Sequence, residues 1–112
     1  MKIAVPVAEG VLCAHFGHCQ NFELVDVDPD KKEITGRQTV VPPMHQPGVL
    51  PPWLADQGVQ LVIAGGMGQR AVQIFQQSGI RVIIGASCDP PEKLVKDWLN
   101  GQLMTGDNLC DH

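Results

Sequence analysis

The reactive side chains of this 112-residue chain gather in three short stretches. Cys13-Ala14-His15-Phe16-Gly17-His18-Cys19 offers two thiols and two imidazoles. Gly65-Gly66-Met67-Gly68-Gln69-Arg70-Ala71 is rich in glycine, and Gly85-Ala86-Ser87-Cys88-Asp89 adds a third thiol. Thiolate with imidazole suits copper(I) or iron–sulfur chemistry at least as well as zinc, because the paired C-x₂-C or H-x₃₋₅-H knuckles of structural zinc sites are absent. His15 and Cys19 are the metal-ligand candidates, and Cys13, His18 and Cys88 accompany them. Core thiols and surface imidazoles are the plainer alternative for each. Cys110-Asp111-His112 repeats the Cys-x-His spacing, and with His45 it reads as flexible surface.

The glycine stretch is open to three readings. Gly66-x-Gly68-x-x-Ala71 fits the dinucleotide fingerprint, but no acidic residue closes the following strand, where Ile83-Ile84-Gly85 stands. A tight turn would need the glycines for backbone geometry alone. A compact anion would need them so that backbone N–H groups and a helix dipole can approach it closely. Hydrolytic chemistry fares worse. Ser78 and Ser87 are the only serines, and neither lies in a Gly-x-Ser-x-Gly elbow. A Cys13/His15 or His18/Cys19 nucleophile–base pair would need a geometry that near neighbours in sequence rarely have. Asp26, Asp28 and Asp30 flank a turn, where a solvated face explains them.

The elements that must hold these stretches follow from periodicity and punctuation. Lys2 to Val7 is an apolar strand, with Pro6 marking its end or an edge. A loop from Ala8 to about Gln20 leads to strands Asn21 to Asp28 and Glu33 to Val41, joined as a hairpin through Asp28-Pro29-Asp30-Lys31-Lys32. Residues 42–52 carry five prolines with Met44 and His45, an irregular loop and a candidate lid. Then come a short helix from Leu50 to Gln57, a buried strand from Gln60 to Ala64, and a helix from Gln69 to Ser78 with Ala71, Val72 and Phe75 inward. A second buried strand, Ile80 to Ile84, precedes a helix from Glu92 to Asn100 with Leu94, Val95, Trp98 and Leu99 at core spacing. A tail follows from Gln102. Apolar strands linked through a helix predict a parallel unit covered on both faces, with the hairpin as an antiparallel edge. The exits of the first strand and the two buried strands then share one rim, where open α/β sheets bind ligands.

Composition bounds the rest. Hydrophobic residues make up 44% and charged residues 18% of the chain, which predicts one folded domain, residues 1–112. The net charge of −4, the lack of a basic block, and an aromatic set of three Phe, two Trp and no Tyr disfavour nucleic acid. The uncharged run from Val40 to Ala55 is broken by prolines, so no membrane span is expected. The opening Met1-Lys2-Ile3-Ala4-Val5 reads directly as a strand rather than a secretory signal, so a cytoplasmic location with reduced thiols is the default.

Taken together and in order, these motifs resemble a known family over nearly the whole chain. They are Ile3-Ala4-Val5-Pro6-Val7, His15-Phe16-Gly17-His18-Cys19 with Phe22, Val62-Ile63-Ala64-Gly65-Gly66-Met67-Gly68, Gly79-Ile80-x-Val82, Gly85-Ala86, Leu99-x-Gly101-x-Leu103 and Asn108-Leu109-Cys110-Asp111-His112. The chain is similar to the dinitrogenase iron–molybdenum cofactor biosynthesis family of small metal–sulfur cluster-binding proteins. The resemblance implies a ribonuclease H-like α/β fold, with a mixed five-stranded sheet in the order 3-2-1-4-5, strand 2 antiparallel, and helices on both faces. It implies a molybdenum-, iron- or copper-containing sulfide cluster as the bound cofactor, and cluster donor or acceptor proteins as partners. It also implies His15 as the leading cluster ligand and backbone approach at Gly65, Gly66 and Gly68. Met67 and Phe16 would form soft walls of the mouth. The carboxylates of ribonucleases H have no counterparts here, no radical-enzyme Cys motif stands in these residues, and a stand-alone domain rather than one fused to an assembly protein is expected. A non-enzymatic carrier is therefore expected.

Overall fold

A computed structural model describes residues 1–13, 19–42 and 50–106. Its elements are β1 (Lys2–Ala8), β2 (Val11–Leu12), β3 (Asn21–Asp28), β4 (Glu33–Val40), α1 (Leu50–Asp56), β5 (Val59–Ile63), α2 (Gln69–Gln77), β6 (Arg81–Ile83) and α3 (Pro91–Leu99). The strands make one mixed sheet in the order β4-β3-β1-β5-β6, with the two-residue β2 attached to β1. Pairing is antiparallel for β1–β3 and β3–β4, and parallel for β1–β5 and β5–β6. The hairpin turn is fixed locally. The Asp28 carboxylate accepts the backbone N–H groups of Asp30 (3.1 Å) and Lys31 (3.2 Å), which closes the Asp-Pro-Asp sequence into a turn.

Strand alternation divides the core into two layers. Ile3, Val5 and Val7 face one side and pack with Leu94, Val95 and Leu99 of α3. Ala4 faces the other, in a cluster that holds Phe22, Leu54 of α1 and Phe75 of α2. Phe22, Leu54 and Phe75 are fully enclosed, each contributing about 1.5–3 kcal/mol of transfer free energy. Trp53 packs edge-on against Phe22 at 6.1 Å between ring centroids. Pro51 and Pro52 sit in the first turn of α1, where missing N–H groups cost nothing. The buried polar side chain of Glu23 is satisfied by Arg37 Nε (3.0 Å) and Thr39 Oγ1 (2.7 Å) of β4, and Arg37 reaches on to Glu92 of α3.

Two features depart from the sequence expectation. Pro6 neither ends β1 nor sits on an edge: it is buried in the middle of the central strand. Backbone groups of alternate β1 residues point to opposite neighbours. Val7 C=O accepts from Gln20 N–H on the β3 side, whereas Pro6 C=O accepts from Cys13 N–H on the other side (both 2.9 Å). The missing N–H of Pro6 therefore faces the β5 side, where parallel pairing has already stopped at Ala4↔Val62. The second feature is the tail. Thr105 bridges antiparallel to Ala86, and Gly106 N–H donates to Gly85 C=O at 2.7 Å.

Gly85 has φ +83°, and a Cβ there would overlap the carbonyl of Gly106. Gly85→Ala should therefore destabilise the protein by more than about 2 kcal/mol, a left-handed residue and a backbone clash combined. Urea unfolding midpoints measure this; an unchanged midpoint would show that the tail does not pack here.

Candidate functional site

The rim is built where β5 leaves β1. Past Ala4 the two strands part, and β2 fills the gap beside β1 through Val7↔Leu12 and Ala8↔Val11. Leu12 N–H then donates to Asp89 C=O at 3.0 Å, tying the exit of β1 to the loop after β6. Ala86 N–H to Ala64 C=O (3.2 Å) and Gly85 N–H to Gly65 C=O (2.8 Å) tie that loop to the exit of β5. Three stretches far apart in sequence are thus stitched into one edge by main-chain bonds.

The predicted site residues separate by burial. Cys13 and Cys19 are both buried, in the core cluster of the α1/α2 face. Burial, then the neighbouring Cys13, push the Cys19 thiol up to about 11 against a lowering backbone hydrogen bond. Cys19 is thus a buried thiol that holds its proton more tightly than an ordinary cysteine. Met67 is also fully enclosed in that cluster, so it does not form a wall of the mouth. Gly65 and Gly66 are buried, Gly68 is exposed, and Cys88 is an exposed thiol in the loop after β6. His15, Phe16, Gly17 and His18 lie outside the described residues, as do Met44 and His45 of the expected lid and Cys110 and His112. Among the described residues, no three His, Cys, Asp or Glu side chains cluster as a metal would require.

What the rim offers instead is main chain. Gly68 is the N-cap of α2 at φ −62° and ψ 147°, with no side-chain cap, and the first turn contains no acidic residue. Among the described residues, a Cβ at Gly68 would meet nothing within 4 Å. Gly65 and Gly66 are likewise not among the positive-φ residues. Among the described residues, Gly68 thus has no positive-φ or packing reason to be glycine, in contrast to Gly85. The turn-geometry reading fails for it, and close approach of something to an uncapped, dipole-positive helix end remains. Arg70 is exposed one residue into that helix. The nearby acid Asp89 is engaged by the Ser87 hydroxyl and lies 3.8 Å from Lys93 Nζ. Sequence reasoning missed β2, the role of Pro6 and the return of the tail. A proline in the middle of a strand and an unassigned Gly106 were the available signals.

Cys88 should react with iodoacetamide at neutral pH well before Cys19, by tenfold or more, as read by mass spectrometry of partly alkylated protein. The sign of the pH effect follows from the same burial. The folded state keeps the Cys19 proton above the ordinary thiol value of 9.0, so stability from this group is intact below pH 9 and lost between 9 and about 11. Cys19→Ala should flatten that alkaline slope in urea titrations.

The family described as Dinitrogenase iron-molybdenum cofactor matches residues 1–101. The uncharacterized protein MJ0580 of Methanocaldococcus jannaschii is 34% identical over 107 residues, 92% of this chain and 89% of that protein. The crystal structure of PH0822 superposes with a TM-score of 0.85 at 27% identity, over 94% of each chain. The apo form of the orange protein from Desulfovibrio gigas superposes with a TM-score of 0.73 at 24% identity, over 96% of this chain and 93% of that one, a likeness of fold.

Proposed function

The chain belongs to the dinitrogenase iron-molybdenum cofactor family, and from that premise we propose that its rim binds and carries a metal–sulfur cluster of iron, molybdenum or both, without turning over a substrate. The observation that carries the reading is Gly68, a glycine that neither backbone conformation nor packing against the described residues requires, at the N-terminus of α2, which has no side-chain cap among them. A sulfide-rich cluster is a large anion with diffuse charge. It sheds water more readily than phosphate or molybdate, so N–H dipoles can hold it without a buried lysine. The local field favours an anion although the net charge is −4, because the rim combines the positive end of α2 with Arg70.

His15 is the side-chain ligand in this reading. Cys13 and Cys19 anchor the ends of the segment that carries it, through the buried positions they occupy beside β1. The architecture is ribonuclease H-like, supported by the sheet order β4-β3-β1-β5-β6, but the nuclease carboxylates are missing, so the scaffold serves binding. Cluster donor and acceptor proteins are the partners. The thiols of Cys19 and Cys88 accord with a reducing, cytoplasmic setting. Among the described residues, no helix is long and apolar enough to cross a membrane.

The test is uptake by protein purified without oxygen and offered ferrous iron, sulfide and tetrathiomolybdate, with copper in a separate arm. Metal per chain and visible absorption are read after desalting. The wild-type chain should take up a coloured cluster, and His15→Ala should retain at least tenfold less. Gly68→Ser should keep stability within about 0.5 kcal/mol of wild type, or raise it through a better cap, while losing uptake. A wild-type protein that stays colourless and metal-free in every arm contradicts the reading.

A further inference from the structure

The sheet ends on one side in β4, whose outer edge has no strand against it among the described residues. Which backbone groups point outward follows from the pairing at the chain start. Met1 and Val27 exchange bonds in both directions, the terminal nitrogen to Val27 C=O at 3.1 Å and Val27 N–H to Met1 C=O at 2.8 Å. Val25 and Glu23 therefore turn their backbone groups toward β1, while Phe22, Leu24 and Asp26 turn theirs toward β4. Their partners Val40, Gln38 and Gly36 face inward, which leaves the N–H and C=O groups of Arg37 and Thr39 directed outward. Such an edge is a template for a further strand unless charge, proline or a bulge blunts it. The register shift of β4 falls at Thr35, and Pro42 comes only after the strand. Between them stands Gly36-Arg37-Gln38-Thr39-Val40-Val41, with a single charge. That charge is engaged within the chain, because Arg37 is held by Glu23 at 3.0 Å and Glu92 at 3.3 Å. Val41 is left 73% exposed.

We infer that the edge of β4 is an interface for a second copy of this chain, paired antiparallel about a two-fold axis through Gln38. The segment is self-complementary in that register. Gln38 meets Gln38 of the second copy, and Arg37 and Thr39 of each copy exchange main-chain bonds with Thr39 and Arg37 of the other. Val40 then stands opposite Gly36. That glycine has no positive φ, and its added Cβ would meet Asp26 Oδ2 at 3.4 Å, an ordinary contact distance. Among the described residues neither constraint explains it, whereas a valine facing it across the axis uses the room it leaves. Val41 gains cover from Thr35 of the second copy. An axis through Arg37 would instead set two guanidinium side chains directly opposite each other. The inference stands apart from the carrier reading. In the order β4-β3-β1-β5-β6, β4 is the edge remote from β5 and β6, so the pairing leaves both rims open.

The experiment is sedimentation equilibrium of the full chain across the micromolar range, with amide hydrogen exchange read by nuclear magnetic resonance on the same samples. Wild type should approach twice the 12.1 kDa of one chain as concentration rises. Exchange at the Arg37 and Thr39 amides should slow in step with that mass. Gln38 is exposed, so Gln38→Lys and Gln38→Glu leave the fold of each copy intact. Each variant alone should self-associate severalfold more weakly than wild type, because like charges then meet across the axis. An equal mixture of the two should associate more tightly than either alone. A wild-type chain that stays at the mass of one copy at every concentration overturns the inference. So does a dimer in which the Arg37 and Thr39 amides exchange freely and both Gln38 variants associate as wild type does, since its interface then lies elsewhere.

Discussion

The central strand cannot hold its parallel neighbour along its whole length, because Pro6 has no N–H to give on the side where β5 lies. Lys2 and Ala4 turn their backbone groups to that side and keep the ladder; Pro6 is next in the series and breaks it. The strands part there, β2 enters the gap, and the exits of β1, β5 and β6 are left to be joined by loop bonds instead of ladder bonds. A crevice at the carboxyl ends of parallel strands is a general consequence of open α/β topology. Here a single imino acid sets where that crevice begins.

The rim then divides its glycines by physical role. Gly85 is glycine because its φ is positive and another backbone lies against it. Among the described residues Gly68 is glycine under neither constraint, and it precedes the N–H groups of Gln69, Arg70 and Ala71, which have no intrahelical acceptor because Val72 N–H is the first to bond back, to Gly68 C=O. The thiols divide as well. Cys19 is held protonated by burial and by Cys13, which suits a structural anchor better than an exposed soft donor. The chemistry left at the surface of the described rim is that of oriented amides, the Arg70 guanidinium and the exposed Cys88 thiol.

Much of this was legible in the sequence. The hairpin was, because Asp28-Pro29-Asp30 encodes its own turn, and so were β5, α2 and α3, because their apolar periods are unambiguous and Gly79 and Gly101 stop the helices. The meeting of three loops at one edge was legible from topology. The burial of Met67 was not, since a methionine between glycines reads equally as wall or core until its neighbours are known. Pro6 misled for a related reason. Proline forbids a central strand only if its nitrogen faces a ladder partner, and that depends on register, which no local pattern carries. The tail contact depends on two glycines 21 positions apart (Gly85 and Gly106), which no local signal joins.

The central claim is that main-chain N–H groups of the glycine rim hold a sulfide-rich anion. The most direct test is an amide nuclear magnetic resonance titration of the protein with tetrathiomolybdate. The account predicts saturable shifts at the amides of Gly65, Gly66, Gly68, Gln69 and Arg70, with the β3–β4 hairpin amides unmoved and molybdate producing far smaller changes. Saturable binding that leaves those rim amides unshifted, or shifts confined to another surface, would contradict it.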